Sequence, residues 1–142
     1  MPGVEAVLRA LKPETVAEQG DTLGAQLRRR RRELGHRRID AARLIGIDPK
    51  SLLWWERDAR EPLERAWPSI IAYLGREPWR RQEVLAERLL AERRRRGLSI
   101  SEAAAIAGVD QTTFAWWESG RRLPRYPRTK MLVAQFLGDS LT

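Results

Sequence analysis

Cysteine is absent from this chain, so it offers no disulfide, no thiolate metal ligand and no cysteine nucleophile. Histidine occurs once, as His36, which excludes a metal site built from clustered histidines. Lysine is scarce: three of the 27 basic residues, the remainder being arginine. No stretch approaches the roughly 18 consecutive apolar residues of a membrane span. Met1–Leu11 carries Glu5 and lacks the apolar centre of a secretory leader. A cytoplasmic location is therefore expected. Alternation with period two is missing, and Val, Ile and Thr do not cluster, so no strand is expected either. The spacings assemble no carboxylate pair, no nucleophile–base couple and no glycine loop for phosphate. The expectation is a chain without enzyme activity, cofactor or metal.

What the sequence does have is positive charge. Lys and Arg outnumber Asp and Glu by 27 to 19, a formal charge of +8 over 142 residues, with pI near 11.0. Arginine meets phosphate through a planar fork, so an arginine-rich surface suits nucleic acid, although charge alone equally describes solvated helices. The length allows one ordinary domain or two small helical ones.

Two stretches organise the chain: Gly108–Pro124, GVDQTTFAWWESGRRLP, and Gly46–Pro62, GIDPKSLLWWERDAREP. In each, a glycine suited to the left-handed conformation ends one helix, and Asp110 or Asp48 is placed to cap the next. Two short helices joined by a three- or four-residue turn with glycine form a helix-turn-helix unit. The similarity extends further at an offset of 62 residues: Leu23, Leu27, Arg31, Gly35, Ala41, Ala42, Glu56 and Pro62 return as Leu85, Leu89, Arg93, Gly97, Ala103, Ala104, Glu118 and Pro124. Gly75 answers Gly138 with one residue inserted.

The expected organisation is an N-terminal arm at 1–20, a first unit at 21–75 and a second at 79–142, joined by Arg76-Glu77-Pro78. In the arm, Val4–Leu11 reads as a short amphipathic helix that packs on the first unit or dimerises. The first unit is expected to hold helices from Asp21 or Thr22 to Leu34, over Ile39–Ile45, over Pro49–Arg57, and from Pro68 to before Gly75. The second is expected to hold Trp79–Arg96, Ser101–Ala107, Gln111–Ser119 and Pro127–Leu137, with Ser99 or Ser101 as a cap. At about 100° per residue, Phe114, Trp117 and Thr113 share one side of their helix, leaving Gln111, Thr112, Ala115 and Trp116 outward. In the earlier copy Leu52 and Trp55 face in, and Pro49, Lys50, Leu53 and Trp54 face out.

The order Leu-x3-Leu, Arg, Gly-Leu-Ser, Ala-Ala, Gly-Val-Asp, Trp-Glu-x-Gly-Arg-x-x-Pro and a final Leu-Gly resembles the phage-repressor or Cro-like (XRE-like) helix-turn-helix family. The resemblance covers 85–142 well and 21–75 less well. It implies an all-α fold of two tandem lambda-repressor-like domains, whose third helices enter the major groove of double-stranded DNA. By position, it assigns base contact to Gln111, Thr112 and Trp116, and in the first copy to Lys50 and Trp54. The Gln111 amide can pair with adenine in bidentate fashion, and Thr112 offers a hydroxyl to phosphate or a methyl to thymine. Arg38, Arg121, Arg122, Arg125 and Arg128 are the expected phosphate contacts. Glu118 and Glu56 are expected to pair with Arg93 and Arg31 as structural links.

The first copy departs from this pattern. Arg37 stands at the cap before its second helix, His36 at a core leucine, and Pro49 at a side-chain reader. Asp58 replaces Gly120 and places an acid toward the expected phosphate. A sequence-specific, nucleoid-associated transcriptional regulator is the leading expectation. The alternative is an adaptor that grips a toxin, another regulator or a polymerase subunit, or self-associates, through Leu53 and Trp54.

Overall fold

The computed structural model describes residues 22–139. The expected Val4–Leu11 helix and the rest of the arm lie outside the described residues. Within these bounds all regular structure is helical: α1 (Leu23–Glu33), α2 (Arg38–Ile45), α3 (Pro49–Glu56), a 3₁₀ turn at Glu64–Ala66, α4 (Trp67–Leu74), α5 (Leu85–Arg96), α6 (Ile100–Ala107), α7 (Gln111–Glu118) and α8 (Pro127–Leu137). No described helix is long and apolar enough to cross a membrane. Two compact units result: residues 22–62 with 69–78, and residues 63–68 with 79–139. The segment 63–68 thus falls with the second unit, where the Trp67 ring meets Trp79 edge-on at 5.8 Å beneath the Arg94 guanidinium.

In the first unit, the Thr22 hydroxyl accepts the Ala25 N–H and starts α1. Leu27, Ala41, Ala42, Ile45, Leu52, Trp55, Ile70, Tyr73 and Leu74 are buried. Each fully buried side chain of leucine size contributes about 1.5–3 kcal/mol of transfer free energy. The small Ala41 and Ala42 present little bulk, which lets neighbouring backbones draw near. His36 closes the edge of this core, its Nδ1 3.0 Å from the Tyr73 hydroxyl.

In the second unit, Leu89, Ala103, Ala104, Ala107, Phe114, Trp117, Val133 and Phe136 form one core cluster. Phe114 and Phe136 meet edge to face, 5.4 Å between centroids at 82°, the arrangement favoured by the ring quadrupoles. The middle helices of the two units repeat residue for residue: α2 and α6 are eight residues each, as are α3 and α7, at the 62-residue offset.

Several helix boundaries differ from expectation. The helix expected from Trp79 begins at Leu85. Upstream, the Glu83 N–H donates to the Glu87 carboxylate and the Gln82 amide to the Arg80 carbonyl, so local side-chain bonds replace a helical ladder. Helix α4 starts at Trp67, one residue before Pro68, which the first turn tolerates because an N–H at that position would find no partner within the helix, so proline's lack of one costs nothing. Helix α2 gains Arg38, since Asp40 accepts the Arg37 N–H and closes the turn. Of the two candidate caps before α6, Ser99 is used: its hydroxyl accepts the Glu102 N–H while the Glu102 carboxylate accepts the Ser99 N–H. Leu34, Arg57 and Ser119 are C-caps, just beyond their helices.

Candidate nucleic-acid interface

The second unit presents α7 through local bonds that follow directly from GVDQTT. Gly108 ends α6 at φ 82°, a left-handed value that a side chain disfavours. Two residues later the Asp110 carboxylate accepts the Thr113 N–H at 2.9 Å and the Thr113 hydroxyl at 2.7 Å. These bonds hold the Asp110 carboxyl below its ordinary pKa, so the cap is charged at neutral pH. The same device recurs before α3, where Asp48 accepts the N–H and hydroxyl of Ser51 and is likewise held low.

Burial then fixes the roll of α7. Phe114 and Trp117 face the core, which turns Gln111 and Thr112 to solvent. The far end is clamped by a bidentate pair: Arg93 Nε and Nη2 each donate to Glu118 at 2.7 Å, while Nη1 donates to the Leu98 carbonyl. One guanidinium therefore ties α5, the α5–α6 turn and the end of α7 together. In the first unit Arg31 grips Glu56 in the same bidentate way at 2.8 and 3.0 Å, and also donates to the His36 carbonyl. Both expected Arg–Glu links are thus present.

Beyond α7, Arg121, Arg122, Arg125 and Arg128 are all exposed. The Arg121 and Arg122 amides donate to the Trp116 carbonyl, which turns the chain sharply after the helix. Arg128 lies in the first turn of α8, which carries no acidic side chain. Gln111 and Thr112 are therefore exposed at the start of α7, and a run of exposed cations follows its end.

The first unit gives its candidate residues different surroundings. Lys50 is exposed, but Arg38 donates to the buried Glu56 at 3.3 Å, which ties this expected phosphate contact to the Arg31–Glu56 link. Leu53 and Trp54, expected to stand outward, are half-buried, and so is Trp116. The Trp54 ring lies under the Arg60 guanidinium at 3.7 Å, with the Lys50 ammonium 5.1 Å from its centroid. Asp58 corrects another expectation. At φ 54° its carboxylate turns back to accept the Gly24 N–H at 3.0 Å, so it caps α1 instead of opposing a phosphate.

Neither Arg60 nor its stacking on Trp54 is announced by a local pattern in the sequence. Arg60 corresponds at the same offset to Arg122, which lies over Trp116 at 4.0 Å. The signal lay in the repeat, yet the Trp–Arg spacing of six residues crosses a helix end and belongs to no helical pairing rule. Among the described residues no group of His, Asp and Glu could hold a metal ion.

A family model described as a helix-turn-helix domain matches residues 84–134, from the N-cap of α5 into α8. No curated protein and no solved structure matches the chain. The matched span contains the Gly108–Asp110 turn, the buried Phe114 and Trp117, and the Arg93–Glu118 clamp. The second unit is a helix-turn-helix domain.

Proposed function

We propose that the protein is a sequence-specific regulator of transcription that binds double-stranded DNA, of the Cro-like (XRE-like) type, with α7 entering the major groove. The observation that carries this reading is the combination of Gln111 and Thr112, exposed on a helix clamped by Arg93, with the exposed arginines that follow that helix in the chain. Gln111 supplies a bidentate amide for a base edge. Arg121, Arg122, Arg125 and Arg128 supply phosphate contacts that fix the register. Trp116 contributes its ring edge to a sugar or thymine methyl while its face carries Arg122. The repeated helix lengths, caps and Arg–Glu link support reading the first unit as a second copy. This is a binding function, without catalysis, and it places the protein on the nucleoid.

The adaptor reading through Leu53 and Trp54 has less support, because both are half-buried and Arg60 covers the Trp54 ring. The deciding experiment is a titration of labelled duplex across ionic strength. Affinity should fall steeply with salt, by a logarithmic slope of about 0.9 per phosphate neutralised. Binding that is absent, or flat between low and physiological salt, excludes the DNA reading.

A further inference from the structure

We propose that the first unit is a sequence-independent anchor on duplex DNA, with Arg60, held in place by Trp54, as its phosphate contact. This rests on the DNA-binding reading above and extends it to the unit whose base-reading positions are least suited to the task.

Both units carry a tryptophan on the third helix with an arginine stacked on it six residues later: Trp54 with Arg60 at 3.7 Å, and Trp116 with Arg122 at 4.0 Å. Stacking occupies the flat face of a guanidinium and leaves the N–H donors, which lie in its plane, open to an oxygen ligand. Among the described residues neither Arg60 nor Arg122 makes a side-chain hydrogen bond or ion pair. This sets them apart from the arginines of α1 and α5 that are tied to carboxylates and carbonyls, such as Arg30, Arg31, Arg93 and Arg96. A long side chain held against a ring before binding also loses less rotamer freedom on contact with a ligand.

The parts of the unit that deal in charge are retained, whereas the parts that read bases are not. Where α7 offers the Gln111 amide, α3 offers Pro49, which has no side-chain donor. Where α7 has Thr112, α3 has Lys50, whose ammonium sits beside the same Trp54 ring as Arg60 and adds a second cation there. The acid that would oppose a phosphate, Asp58, is bonded to the Gly24 N–H. Cations directed at phosphate, with no side chain beside them to read a base edge, bind the backbone of any duplex alike.

The test uses the full chain, a labelled duplex selected by the wild type, and a scrambled duplex of equal length, each titrated from low to physiological salt. Arg60→Gln should weaken binding to both duplexes by the same factor and reduce the salt slope by about 0.9, as for one lost phosphate contact. Trp54→Leu keeps the arginine but removes its platform and should shift affinity and slope in the same direction. Trp54→Phe restores a flat ring and should recover most of the loss. A residue that served only the fold would leave the salt slope unmoved. If Arg60→Gln matches the wild type while Arg122→Gln loses affinity and slope, the first unit does not touch DNA and the anchor is refuted, with the second unit's role intact. Unequal losses on the two duplexes also overturn it, since the first unit then reads sequence. A wild type that selects no duplex from a random pool and binds no duplex at low salt removes the underlying DNA reading and the anchor with it.

Discussion

Gly24 and Asp58 form a matched pair: a Cβ added at Gly24 would lie 2.8 Å from the Asp58 carboxylate oxygen and 2.6 Å from the carbonyl oxygens of Trp55 and Glu56. The second unit solves the same junction in reverse. Ala86 stands at the position of Gly24, and Gly120, at φ 76°, stands at that of Asp58. Room at the start of the first helix and a side chain after the third helix are thus alternatives. We predict that Gly24→Ala destabilises the first unit by roughly 1–3 kcal/mol, because backbone must shift to admit the methyl. Gly120→Ala should cost about 1–2 kcal/mol for its left-handed backbone. Urea unfolding of each variant measures both, and unchanged midpoints would show that the junction yields freely.

The Arg93–Glu118 clamp is also expected to be felt in stability. Glu118→Ala strands a guanidinium that is about nine-tenths buried and should cost roughly 1–3 kcal/mol. Glu56→Ala should cost at least as much, since Glu56 is 1 % exposed and serves both Arg31 and Arg38. A double-mutant cycle with Arg93→Ala isolates the coupling. Two silent single mutants would mean that solvent screens the pair.

Specificity should reside in α7. Gln111→Ala is expected to reduce discrimination between a selected and a scrambled duplex by about 1–3 kcal/mol, the value of one bidentate contact. Lys50→Ala should weaken both duplexes alike. Competition titrations separate these outcomes, and an equal effect of the two variants on discrimination would mean that both units read bases.

Acid should loosen the helix starts before the cores. Asp48, Asp110 and Glu102 are held below their ordinary pKa values by bonds from the N–H groups they cap, and Asp40 by the Arg37 guanidinium. A depressed folded pKa means that the unfolded chain takes up protons first as pH falls. The stabilisation is therefore complete above the ordinary carboxylate range and is lost as pH drops through and below it. Asp110→Asn keeps a capping oxygen but removes the titration, so its stability should depend less on pH in this range than that of the wild type. Denaturant melts at a series of acidic pH values test this, and parallel curves would remove Asp110 as a contributor.

Much of this arrangement is legible in the sequence where the rule is local. The Asp48 and Asp110 caps and the glycine ends of α2 and α6 follow from residues three or four apart, so spacing alone locates them. The burial of Phe114 and Trp117 follows from helical periodicity. The Arg31–Glu56 and Arg93–Glu118 links span 25 residues and were legible only through resemblance to a family. Two features were not legible. The direction of Asp58 depends on its left-handed backbone, which residue type alone does not announce. The Trp–Arg stacks depend on the turn after each third helix, where helical periodicity stops. The segment from Trp79 reads as helix because aromatic and charged residues continue the pattern of α5, whereas the Trp67–Trp79 contact and local side-chain bonds hold it in another conformation.

The choice of arginine over lysine inside the helical units bears on alkaline conditions. Arg31 is bonded to Glu56, which raises further the pKa of a guanidinium that is already charged throughout the ordinary pH range. Arg30 and Arg96 donate to the carbonyls of Tyr73 and Phe136, near the ends of α4 and α8. The Arg31 guanidinium stays charged from neutral pH far into alkali, whereas the carboxylate caps do titrate in acid. The tolerance of the fold to pH is thus lopsided: acid has several helix starts to release, whereas moderate alkali leaves the Arg31 link to Glu56 in place.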